Sequence, residues 1–103
     1  MEMLNRSMNL AQMRKTVDVE CPEWSLQVRL RELSAGQLPQ LDQDVSKQLA
    51  LMIVDDNGDR IYVTPEQIDQ LREMPAMLQQ RLLEAAAELN GMTPKAADEA
   101  IKN

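Results

Sequence analysis

Histidine and phenylalanine are both missing from this chain, and cysteine, tryptophan and tyrosine occur once each. Without histidine there is no side chain that titrates near neutral pH, and the commonest metal ligand is gone as well. The single thiol, Cys21, excludes an intrachain disulfide, a paired-cysteine redox motif and a cysteine zinc site. Three glycines are too few to build a phosphate-cradling loop, and neither glycine-rich nucleotide fingerprint occurs. Cys21 lies among Glu20, Pro22 and Glu23, and nearby carboxylates favour the thiol over the nucleophilic thiolate. It reads as a structural residue. The sequence therefore offers no catalytic residue, no metal site and no cofactor site, which points to a binding protein and not to an enzyme. Long apolar runs are missing too, so no segment reaches the roughly 18 residues of a membrane span. Glu2, Asn5, Arg6, Ser7 and Asn9 interrupt any signal-peptide core at the N-terminus. A soluble protein of a reducing cytoplasm is expected.

What is present favours helices. The 103 residues are 44% hydrophobic, and that fraction is dominated by leucine, alanine and eight methionines, all strong helix formers. The net charge is −6 and is unevenly spread: residues 1–33 hold five basic and five acidic side chains, residues 34–103 six and twelve. An acidic body is repelled by phosphate backbones and anionic lipid, so neither nucleic acid nor membrane is an expected partner.

Residues 1–15 stand apart as a flexible or helical N-terminal segment. Met3, Leu4, Met8, Leu10 and Ala11 recur at roughly helical spacing, so the segment reads as a disordered terminus, a leader ahead of Met13, or a short partner-binding helix. In Val17–Cys21 and again in Trp24–Leu30, apolar and polar residues alternate on either side of a proline turn. Period two predicts a β-hairpin with one buried face. Its edges would stay open to strand addition.

The remainder reads as helical. Ser34 and Gln37 form a capping box before a short helix that Pro39 cuts off. Val45, Leu49, Met52 and Ile53 make a helical stripe, which Leu51 and Val54 widen beyond one buried face. A turn at Asn57-Gly58 and an extended piece at 61–63 lead to Thr64-Pro65-Glu66-Gln67, a strong helix start. Met74-Pro75 breaks that helix and opens a longer one lined by Leu78, Leu82, Leu83, Ala86 and Leu89, with Asn90-Gly91 closing it. Residues 93–103 predict a short C-terminal helix or frayed tail. The predicted class is mainly α (α+β): an N-terminal β-hairpin followed by four or five short helices, with 16–92 forming a single domain.

Asp55, Asn57, Asp59 and Glu66 fall at the ligand spacing of a calcium-binding EF-hand loop. The glycine that such a loop needs at its sixth position is Arg60 here, so a polar β-turn is the better reading. Glu84 and Glu88 read as a solvated helix face. Met74 and Met77 suit either core or an adaptable binding groove, since methionine packs against varied partners. The surfaces singled out for partner binding or self-association are Met3, Leu4, Met8 and Leu10 in the first segment, Leu51 and Val54 on the widened stripe, and Met74 with Met77.

The order of these parts resembles the tail assembly chaperones of long, flexible-tailed bacteriophages. The resemblance is carried by Asp55-Asp56-Asn57-Gly58, Arg60-Ile61-Tyr62, Thr64-Pro65-Glu66-Gln67 and Leu89-Asn90-Gly91, together with the hairpin and Arg31–Gln37. It covers roughly residues 16–93. It implies a non-catalytic homo-oligomer in the bacterial host cytoplasm, partnered by the tape measure protein and tail tube protein, and not expected in the mature virion. An acidic helical adaptor, a small regulator of the antitoxin kind and a minor virion subunit are the rival readings.

Overall fold

A computed structural model of the chain describes residues 3–92. Strand β1 (Thr16–Cys21) pairs antiparallel with β2 (Leu26–Arg31), in a register that sets Val17 opposite Leu30 and Cys21 opposite Leu26. Side chains alternate across a strand, so Val17, Val19, Cys21, Leu26, Val28 and Leu30 share one face. The reverse face is polar and self-paired. There Arg29 Nε donates to Asp18 Oδ1 at 2.8 Å and Gln27 Nε2 to Glu20 Oε1 at 2.6 Å. The expected hairpin is present with one change, since Trp24 belongs to the connection and not to the strand. Pro22–Trp24 forms a 3-10 turn, and Ser25 adopts a left-handed conformation (φ 50°) that reverses the chain.

The expectation of a mainly α chain, a hairpin followed by four or five helices, does not hold. The architecture is α+β, with a three-stranded antiparallel sheet in the order β1-β2-β3 and, among the described residues, three α-helices. Helix α1 (Val45–Met52) stops one residue short of the predicted stripe, and Ile53–Val54 becomes strand β3. Ile53 lies opposite Leu30 and Val54 opposite Arg29. Two successive β-branched residues lose side-chain freedom in a helix and fit a pleated edge well. The carbonyls stranded at the end of α1 also find donors. Arg60 Nε reaches Ala50 O at 3.0 Å, Gln37 Nε2 lies 3.5 Å from Leu51 O, and the Ile53 N–H bonds to Leu49 O.

The short helix predicted at Ser34 does not form either. Its capping exchange is made, Gln37 N to Ser34 Oγ at 3.2 Å and Ser34 N to Gln37 Oε1 at 3.0 Å, but it closes only a turn. A 3-10 turn, Leu38–Gln40, follows, and Leu41 is already extended. Among the described residues of the first segment only Leu10–Met13 is helical, as a single 3-10 turn capped by Asn9. The helix expected in residues 93–103 lies outside the described residues.

Two helix signals are met in full. Helix α2 (Pro65–Leu71) opens on the reciprocal capping box of Thr64 and Gln67. Helix α3 (Ala76–Leu89) ends with Gly91 at φ 69°, the Gly91 N–H on Glu88 O and the Met92 N–H on Ala87 O, which satisfies two terminal carbonyls. Asn90 then ties α3 to the segment that follows β2, its Oδ1 accepting the Leu33 N–H at 2.9 Å.

The helices cover the apolar face of the sheet. Cys21, Leu30, Leu49 and Leu82 are fully buried there, with Ile53, Leu71, Leu78 and Ala86 around them. Leu30 is the central member, because its strand pairs on both sides. Leu30→Ala is expected to cost about 3 kcal/mol of folding free energy, a large share of the roughly 5–15 kcal/mol of a domain this size. Urea unfolding would show this as a lower midpoint at an unchanged slope.

Candidate functional site

Strand β3 is only two residues long, and that shortness opens a concavity beside β2. It pairs with Arg29 and Leu30 of β2 and leaves the first half of β2 without a neighbour on that side. The chain turns away at Asp55, whose carboxylate accepts the N–H groups of Asn57 and Asp59 at 2.8 and 3.1 Å. Gly58, at φ 84°, completes the turn. This is the polar turn expected in place of a calcium loop. The returning segment runs past β3, with Arg60 bridged to Val54, and lays Ile61 and Tyr62 over the gap.

The result is an open cleft of about 360 Å³. Leu26, Gln27, Val28 and Arg29 of β2 form one wall, Ile61 and Tyr62 another, and Leu71, Met74, Leu78 and Leu82 the floor. Gln70 and Glu73 stand at the rim. Leu26 and Ile61 at the mouth are 42% and 43% exposed, although both are large apolar residues. Met74 is half-buried against the core. A lining of this kind suits an apolar side chain or segment, with the few polar groups setting its orientation. A smaller hollow of about 210 Å³ lies between α1 and α3, under Met52, Leu83 and Met92.

Of the surfaces singled out from the sequence, the structure brings only Met74 into the cleft. Met77 is exposed on the first turns of α3. Met3, Leu4 and Leu10 are exposed and Met8 is half-buried. Leu51 and Val54 are withdrawn from any open surface of the chain, at 6% and 4% exposure. They lie apart from the main core cluster, Val54 on the same side of the sheet as Arg29. The widened stripe was therefore a sign of two buried sides and not of a binding face. Sequence reasoning missed Leu26, Ile61 and Tyr62. The period-two pattern marked Leu26 as inward-facing, but nothing local announces that the strand beside it is too short to cover it.

Two ion pairs fix the elements around the cleft. At the hairpin end from which Leu26 enters it, Arg81 of α3 grips both oxygens of Glu23, one contact at 2.9 Å. The same guanidinium lies 5.7 Å from the centre of the Trp24 ring, a cation–π contact. The paired Arg81 holds the Glu23 carboxyl at about 2, well below its ordinary 4.5. At the start of α1, Asp44 caps Ser46 N while Arg72, just after α2, binds it through contacts of 2.8 and 2.7 Å. That arginine lowers Asp44 from 3.8 to about 2.

Both carboxylates sit lower in the folded state than in the unfolded chain, so their contribution is complete above the unfolded values. It is lost as pH falls toward the folded ones. The thermal midpoint is expected to be insensitive to these groups near neutral pH and to fall between about pH 4.5 and pH 2. Glu23→Gln and Asp44→Asn are each expected to lower the neutral-pH midpoint and to flatten that acid limb, which a pH series of melting curves would read. Equal acid limbs in the parent and both variants would refute the assignment.

No known protein family, curated protein or solved structure matches this chain, so no functional residue carries over from a relative and the cleft's own chemistry decides what it can hold.

Proposed function

We propose that this chain is a tail assembly chaperone of the long, flexible-tailed phage kind. In this reading it binds the tape measure protein during tail morphogenesis in the bacterial host cytoplasm, keeps it soluble and helps recruit tail tube subunits. It leaves before the virion is complete. The observation that carries the reading is an open apolar cleft, floored by Met74 and edged by exposed Leu26 and Ile61, on a chain of net charge −6.

Each half of that observation has a task. The unbranched thioether of Met74 adapts to apolar side chains of different shape, as a long client with many similar stretches requires. The excess of carboxylates keeps a complex with an apolar client dispersed. The run from Asp55 to Gly91 that resembles the family builds the turn, the Ile61–Tyr62 wall and both helices under the cleft, while β2 supplies the opposite wall.

Co-expression with the tape measure protein of the same phage tests this. The client is expected in the soluble fraction, bound to the chain, and Met74→Lys is expected to cut capture about tenfold, a loss of roughly 1.4 kcal/mol, while the circular dichroism spectrum stays native. A tape measure protein that is equally insoluble with and without the chain would overturn the proposal. Purified virions are expected to lack the chain, whereas a minor virion subunit would be found in them.

A further inference from the structure

The backbone of Gln27 is left open beside the cleft. The Glu32 N–H bonds to Lys15 O at 2.8 Å, in line with the register that pairs Thr16 with Arg31. Bonded pairs alternate along an antiparallel ladder, so the even-numbered residues of β2 turn their N–H and C=O toward β1. The odd-numbered ones face the other way, where Arg29 meets Val54. Gln27 comes next in that row. Asp55, however, turns its own N–H away to Asp59 O at 2.9 Å, and among the described residues no backbone group bonds to Gln27 on that side.

Two hollows meet at this gap. The apolar cleft lies on the inner face of the sheet, over Met74 and Leu78. A polar pocket of about 210 Å³, walled by Asp18, Asp55 and Asp56, lies on the outer face, and Gln27, Arg29 and Ile61 line both. An extended chain sends successive side chains to opposite faces. Laid beside Gln27, it would drop alternate side chains into the apolar cleft and the ones between them into the polar pocket. A helix keeps its N–H and C=O groups to itself and would leave those of Gln27 unmet.

We propose that the cleft takes an extended client segment in which apolar residues alternate with lysine or arginine. The segment adds to β2 beside Gln27, with its apolar side chains on Met74 and Leu78 and its basic ones facing Asp18, Asp55 and Asp56. Charge selects the basic residue. The polar pocket holds three carboxylates against one cation, Arg29, which Asp18 already engages at 2.8 Å. Glu73 adds a further carboxylate at the rim of the cleft. An acidic residue in the same place would meet like charge on every side. The inference rests on the chaperone reading only in taking the segment from a client.

Fluorescence anisotropy of a labelled nine-residue peptide, valine alternating with lysine, tests this on the full chain. The peptide is expected to bind saturably. A peptide of the same composition, reordered so that its valines share one face of a helix, is expected to bind about tenfold more weakly. So is one with glutamate in place of lysine. Asp56→Lys, at an exposed position, is expected to keep the parent melting curve and to weaken binding several-fold. In nitrogen-15 spectra the Gln27 amide is expected to gain protection from hydrogen exchange once the alternating peptide is bound. No binding of that peptide, equal binding of the reordered one, or an unchanged Gln27 amide would each overturn the proposal. Capture of the tape measure protein by a chain that ignores the alternating peptide would overturn strand addition and leave the chaperone reading standing. Peptide binding with the predicted pattern, but without capture, would support strand addition and overturn the chaperone reading.

Discussion

The pairing of Ile53 with Leu30 is the contact on which the rest of this structure depends. It converts a hairpin into a three-stranded sheet, and it does so with the residue that immediately follows α1. The helix is thereby fixed beside the sheet with no linker, and its last carbonyls fall within reach of Arg60 and Gln37. Leu30 lies opposite both Val17 and Ile53, so one fully buried side chain joins an early strand, a late strand and the helices above them. Remove that pairing and α1 has no reason to end at Met52, nor the following turn to sit where Ile61 and Tyr62 wall the cleft.

How far the fold could be read in advance follows from the range of each determinant. Thr64, Pro65 and Gln67 cap a helix through atoms no more than three residues apart, and that start is visible in the sequence. The same holds for Gly91 at the end of α3 and for the alternation across the hairpin. Ile53 and Val54 differ, because as a pattern they continue the helical stripe of Leu49 and Met52 just as well. The choice between helix and strand is made by the vacant edge of β2, more than twenty residues earlier in the chain. Ser34 and Gln37 show the converse. Their side-chain exchange forms as predicted, yet a cap only satisfies the first turn, and Pro39 and an extended Leu41 leave nothing for it to start. The cleft was the least legible feature, since it is defined by where a strand stops.

Charge is arranged around the apolar surface and not merely in excess. Asp18, Glu23 and Asp44 are each engaged by an arginine from another element, which braces the two strands of the hairpin, joins the hairpin to α3 and joins α1 to α2, at modest energetic gain per exposed pair. Asp42 and Asp69 are paired as well, with Lys47 and Arg72, yet acidic groups outnumber basic ones and leave a net charge of −6. A protein that displays Leu26, Ile61 and Met77 in water needs that unpaired charge to remain dispersed.

The single thiol is more useful than its chemical inertness suggests. Cys21 is fully buried, at the end of β1 where α3 closes over the sheet, and there is no other sulfhydryl to compete with it. A thiol-reactive dye can reach it only when the hairpin and α3 part. Its labelling rate in native buffer is therefore a direct clock for that opening, distinct from global unfolding, and it needs no engineered probe. Followed while a binding segment is titrated in, the same clock would tell whether filling the cleft also tightens the packing beneath it.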